Sequence, residues 1–179
     1  MRKDVKMESN FKNFKLKKRA FGGKLTEEEI AYIKTQLDKI PPVLNDTTAI
    51  GYFAIPEVKY ALELKFYIEY GLAPGHFLHS LLTNNILALL SKGADGVKVP
   101  MTIHAWIKYM YLYLPEESYG SEGEYGKWAT DRWKILQKHN LRIQDVYNYW
   151  LTLSEEQIET ANTLLTGIKK IEKTETEEI

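Results

Sequence analysis

The six prolines of this chain, Pro41, Pro42, Pro56, Pro74, Pro100 and Pro115, all fall at the ends of segments whose apolar residues recur every three or four positions. Proline lacks a backbone N–H and clashes with the preceding turn, so it opens a helix or stops one but does not sit inside. A chain punctuated this way is constrained to be a set of short helices joined by bends. Thr26 with Glu29 makes a capping box, after which Ile30, Ile33, Leu37 and Ile40 repeat until Pro41-Pro42. Beyond an irregular link through Asn45-Asp46, Pro56 opens a helix over 57–70, apolar through Val58, Ala61, Leu62, Leu64 and Ile68 and closed by Gly71.

Pro74 starts the next helix, expected over 74–92 and ended by Gly93. There Phe77, Leu78, Leu81, Leu82, Ile86, Leu89 and Leu90 form a stripe so broad that it predicts the centre of the core. A loop with Asp95-Gly96 leads to Pro100 and a helix over 101–114 whose apolar face is Ile103, Trp106, Ile107, Met110 and Leu114. Residues 116–126, with four Glu, three Gly and two Ser, predict a long loop or frayed helix start ahead of a helix bearing Trp128, Trp133 and Leu136. One helix follows over 142–152. The last begins at Ser154, boxed with Gln157, and carries Ile158, Leu164, Leu165, Ile168 and Ile171. No segment alternates for more than four residues. The expected fold is all-α: a single-domain orthogonal bundle of six or seven helices over 25–172, with a basic arm at 1–24 and a frayed tail at 173–179.

The absence of cysteine removes disulfides, thiolate metal sites and a cysteine nucleophile. No apolar run approaches the roughly 18 residues that cross a bilayer, so a cytoplasmic location without membrane contact is expected. No cofactor is expected either. The formal net charge of zero hides an asymmetry: residues 1–24 hold nine basic and two acidic side chains, a net of +7, so the remainder carries −7. A solvated tail, an arm for nucleic acid or an acidic partner, and an arm docked on its own acidic body all fit that pattern.

Within the arm, Lys12, Lys15, Lys17, Lys18 and Arg19 interleave with Phe11, Phe14, Leu16 and Phe21. Basic side chains neutralise phosphates and aromatic rings stack on bases; equally, the rings could anchor in a protein groove with the lysines at its rim. Phe11, Phe14, Lys15, Lys17, Lys18, Arg19 and Phe21 are therefore the first candidate binding residues. With no capped periodic pattern, the arm is expected to bind a partner while adding little to stability.

The second candidate is the loop with Tyr119, Gly120, Ser121, Glu122 and Glu124. Its glycines suggest a phosphate cradle, but clustered glutamates repel phosphate and no Gly-Lys-Ser/Thr string follows. His76 and His79, at i and i+3, could share a metal only if His104 or Asp95 came close, and no metal site is expected. No catalytic set stands out.

The stretch from about 62 to 132 carries the string Tyr70-Gly71-Leu72-Ala73-Pro74-Gly75-His76-Phe77-Leu78 through Thr83-Asn84-Asn85, then Gly93-Ala94-Asp95 and Tyr119-Gly120-Ser121 ahead of Trp128. In order and spacing it resembles a small family of uncharacterised bacterial and phage proteins. It departs from them at Ala73, Asn85, Lys92-Gly93 and Tyr119. The resemblance implies a small helical unit in a phage or mobile-element setting. The expected function is a non-enzymatic accessory protein that binds and modulates or inhibits a host protein or protein–RNA machine, counter-defence being one such role. Nucleic-acid binding through the arm is the alternative, and a hydrolase with an unlocated site the third.

Overall fold

A computed structural model of the chain describes residues 11–44, 51–85, 87–89 and 99–167. Among the described residues the regular structure is helix alone, with no strand. The α-helices are α1 (Glu27–Asp38), α2 (Ala61–Tyr70), α3 (His76–Leu82), α4 (Val99–Tyr113), α5 (Glu122–Lys138), α6 (Ile143–Trp150) and α7 (Glu155–Leu165). Short 3₁₀ turns at Tyr52–Ala54, Val58–Tyr60 and Glu116–Ser118 link them. None of the described helices is long and apolar enough to cross a membrane.

Caps set the helix starts. Thr26 and Ser154 complete the two expected boxes, and Ser121 Oγ accepts the Glu124 N–H at the head of α5. The head of α2 has no cap of its own. Instead Asn162 of α7 accepts the Leu62 N–H at 2.7 Å through Oδ1 and donates from Nδ2 to the Lys59 carbonyl at 3.1 Å. A buried amide thus supplies from a hundred residues away what the local sequence lacks. At its other end α2 closes on Gly71, at φ +71°, and a Cβ there would meet the Ala129 carbonyl of α5 at 2.7 Å. Glycine is required here by both the left-handed turn and the close approach of two helices.

The core has two parts that share α2. Leu64, Tyr67 and Ile68 pack with Leu78, Leu81 and Leu82 of α3, Trp106, Tyr109 and Met110 of α4, and Tyr125 of α5. Leu62, Phe66 and Tyr70 pack with Tyr32, Ile33 and Leu37 of α1, Leu136 of α5, Leu141, and Val146 of α6. Eight of the ten residues of α2 are buried, so α2, not the helix after Pro74, is the centre of the molecule. The sequence stripe underrates it because Phe66, Tyr67 and Tyr70 fill the faces between its aliphatic positions.

The expected helix over 74–92 is also shorter. It ends at Leu82, where Asn84 takes φ +56°, and Asn85 Oδ1 then accepts the Ala88 N–H at 3.1 Å to start a fresh helical stretch at 87–89. Asparagine tolerates the left-handed region and caps new helices, which is why the pair Asn84-Asn85 breaks a continuous stripe. Ile86, Leu90, Gly93 and Asp95 lie outside the described residues, as do 1–10, 45–50 and 168–179 with Ile168, Ile171 and the tail.

Two charged groups inside the core serve the backbone around them. Glu69, buried on α2, accepts the Val43 and Leu44 N–H groups at 2.6 and 3.3 Å and the Tyr52 hydroxyl at 3.1 Å. Arg132 of α5 donates from Nε to the Glu69 carbonyl at 2.7 Å. Burial pulls the Arg132 guanidinium down from its usual value, and the Glu69 charge opposes that pull.

Candidate functional site

Residues 11–24 of the arm lie against α1 and α6. The Phe11 and Phe14 rings sit 5.5 and 4.8 Å from that of Tyr32. Arg19 Nη2 donates to both oxygens of Glu29, at 3.0 and 2.8 Å. The backbone is held as well: Lys17 O accepts from Arg142 Nη2 at 3.0 Å, Ala20 O from Asn148 Nδ2 at 3.0 Å, and Gly22 N–H donates to Asn148 Oδ1 at 2.7 Å. Asn148 is almost wholly buried, so these are structural bonds. Burial would raise the Glu29 carboxyl, but the Thr26 backbone N–H and the Arg19 guanidinium outweigh it and hold the group below its usual value. The described part of the arm is therefore docked on its own body, the third of the arrangements its charge pattern allows.

Docking leaves a cleft of about 620 Å³ between the arm and the link from α5 to α6. Lys12, Asn13, Phe14, Lys15, Leu16 and Lys18 form the arm's wall; Tyr32 forms the floor; Gln137, Asn140, Leu141 and Arg142 close the far side. Lys12, Lys15 and Lys18 are exposed, and none pairs with a carboxylate among the described residues. Arg142 is already paired with the buried Asp145 at 2.7 Å. Asn140 takes φ +58° as α5 ends, where the Leu141 N–H returns to Leu136 O at 3.0 Å. With asparagine in place of the usual glycine, the turn carries an amide to the rim of the cleft.

The arm candidates thus divide. Phe14, Lys15 and Lys18 line the cleft; Phe11 packs with Phe14 and Tyr32; Lys17 lies outside the lining; Arg19 is spent on Glu29. Phe21 keeps over half its surface exposed, its ring centre 5.4 Å from that of Tyr147 in an edge-to-face arrangement. Sequence reasoning missed Asn13, Gln137, Asn140 and Arg142, whose only signal was the polar helix end at Lys138-His139-Asn140.

The acidic loop is used locally. Ser121 caps α5, and Glu122 and Glu124 sit in its first turn, where negative charge complements the helix dipole. Gly120 N–H donates to Leu82 O at 2.8 Å, and Tyr119 packs half-buried against the core. The expected loop is therefore a cap and the first turn of α5. His79 lies 3.5 Å from Glu122 and edge-on to Tyr125, while His76 is exposed. Among the described residues no three metal-ligating side chains cluster.

One surface departs from expectation. On α4, Met101, Ile107, Tyr111 and Leu112 are exposed, Met101 by 85% and Tyr111 by 79%. Ile107 was expected inside, but the buried face of α4 runs through Trp106, Tyr109, Met110 and Leu114. No family model, no curated protein and no solved structure matches the chain, so its function is read from its own side chains.

Proposed function

We propose that this chain is a non-enzymatic binding protein whose basic cleft holds the phosphodiester backbone of a single nucleic-acid strand. The observation that carries this reading is the set of three unpaired lysines, Lys12, Lys15 and Lys18, around a concavity lined by the Phe14 and Tyr32 rings. Lysine neutralises phosphate without regard to sequence, and the partly buried Phe14 ring offers an edge against which a base could pack. Asn13, Gln137 and Asn140 add amides able to donate to and accept from base edges. The net negative charge of residues 25–179 would steer a polyanion toward the basic arm. The test is fluorescence anisotropy with a labelled single-stranded oligonucleotide across a salt series. Replacing Lys12, Lys15 and Lys18 together with Ala should lower the salt slope by about two units, near 0.7 for each lost phosphate contact. A slope and affinity unchanged in that variant would end the reading.

A second reading is favoured by the outward face of α4. Monomeric proteins seldom expose contiguous large apolar patches, and those that do usually bind a partner there. A host protein seated on Met101, Ile107, Tyr111 and Leu112 would fit the expected modulating role. Tyr111→Arg with Leu112→Arg should abolish such binding and leave the oligonucleotide affinity untouched. The lysine variant should do the converse.

A further inference from the structure

A second cavity, of about 280 Å³, lies between α2, the turn through Gly75 and α6. Three aromatic side chains, Phe66, Tyr147 and Trp150, wall it together with Leu72 and Pro74, and the one carboxylate in its lining is Glu63. Phe66 and Trp150 meet at 4.7 Å with their planes 70° apart, which makes a corner of ring surfaces. Tyr147 is steadied from behind by the Phe21 ring of the docked arm. Glu63 is fixed in turn: its Oε1 accepts the Gly75 N–H, and a Cβ at Gly75 would come within 3.0 Å of that oxygen. Glycine at 75 lets the backbone approach the carboxylate this closely.

Glu63 has no cationic partner among the described residues. Lys59, one turn before it, pairs instead with Glu57 at 3.7 Å. Burial raises the Glu63 carboxyl, and the Gly75 N–H only partly offsets this. The pocket therefore combines ring faces, which attract cations through their negative quadrupole, with a carboxylate that lacks a counter-ion.

We infer that this pocket is a receptor for a quaternary ammonium group. A primary ammonium brings three N–H donors and a guanidinium five, yet beyond the Tyr147 hydroxyl the side chains here offer only Glu63, one of whose two oxygens is engaged with Gly75. Burying such donors without acceptors is costly. A trimethylammonium has no N–H to satisfy, spreads its charge over methyl groups that pack against ring faces, and gains its counter-charge from Glu63. That chemistry has two sources, a trimethylated lysine on a protein and a free choline-type molecule. The site is remote in chemistry and lining from the basic cleft, so its test is independent of the reading above.

The experiment is isothermal titration of the full chain with tetramethylammonium chloride, choline, a trimethyl-lysine peptide, the same peptide unmethylated, and 3,3-dimethylbutanol, the uncharged isostere of choline. Both quaternary probes should bind, with the isostere and the unmethylated peptide weaker by about tenfold or more, the range of a partly desolvated cation–π contact with its counter-charge. Glu63→Gln, which still accepts from Gly75, should cost a similar factor while leaving the melting temperature close to that of the unaltered chain. Trp150→Phe should weaken binding while keeping the core filled. Tighter binding of the peptide than of choline assigns the source to a protein, and the reverse order to a small molecule. The inference is overturned by no heat with either quaternary probe at tens of millimolar, by equal affinity for the uncharged isostere or the unmethylated peptide, or by full affinity in folded Glu63→Gln.

Discussion

The basic arm and the acidic loop both stand out in the sequence as charged, irregular segments, and the structure uses them in opposite ways. The loop spends its groups within a few residues: Ser121 caps Glu124, and the glutamates sit at the end of a helix that favours them. The arm is satisfied at a distance. Its backbone is held by Asn148 and Arg142, 126 and 125 residues away, and Arg19 by Glu29. Because its backbone and rings are held by others, its lysines remain free to face outward. A charged segment is available for binding when something else supplies its structure.

The comparison can be broken by removing each anchor. The largest effect is expected on deleting residues 1–23, which takes Phe11 and Phe14 from Tyr32 and empties the Asn148 amide; stability should fall by about 3 kcal/mol or more, read from chemical denaturation. An unchanged midpoint would show the arm to be a tether, like the free tail that its charge alone suggests. Next, Asn148→Ala should cost about 1–3 kcal/mol by leaving the Gly22 N–H and Ala20 carbonyl without their partner.

A smaller effect concerns pH. The Glu29 carboxyl is held below its usual value in the folded state, so its contribution is present above the ordinary value near 4.3 and is lost as pH falls through the depressed one. Glu29→Gln should therefore trail the unaltered chain by about 1 kcal/mol at pH 7, with the gap closing toward pH 3. A gap that stays constant would mean that the charge of Glu29 is irrelevant to docking. Smallest of all, Ser121→Ala should cost about 0.5–1 kcal/mol, as for an exposed helix cap. It should leave oligonucleotide binding as it was, whereas a change in binding would move function to the loop.

Much of the helix plan is legible because its signals are local. Thr26 with Glu29, Ser154 with Gln157, and Gly71 each act within four residues, and a one-dimensional reading captures them. The break at Asn84-Asn85 is local too, but the apolar stripe running past it outweighed two polar residues. What could not be read are the pairings across the chain: Asn162 capping α2, Glu69 serving the 43–44 backbone, Asn148 holding the arm. Each looks in sequence like an unremarkable polar residue in a helix. The cleft is half legible for the same reason. Its lysines announce themselves by density, while Asn140 and Arg142 join them only because α5 turns there.

The Asn148 and Asn162 bonds also order events in time. During synthesis the arm emerges first, yet the amide that fastens Gly22 is made 126 residues later, and the one that caps Leu62 follows its target by 100. The nascent chain thus carries its basic segment on the nearer Tyr32 and Glu29 contacts alone until residue 148 is made, and contacts of such long sequence separation close slowly. Termination before residue 148 would deprive both the arm and the head of α2 of these amides at once, whereas termination between 148 and 162 would deprive the head of α2 alone.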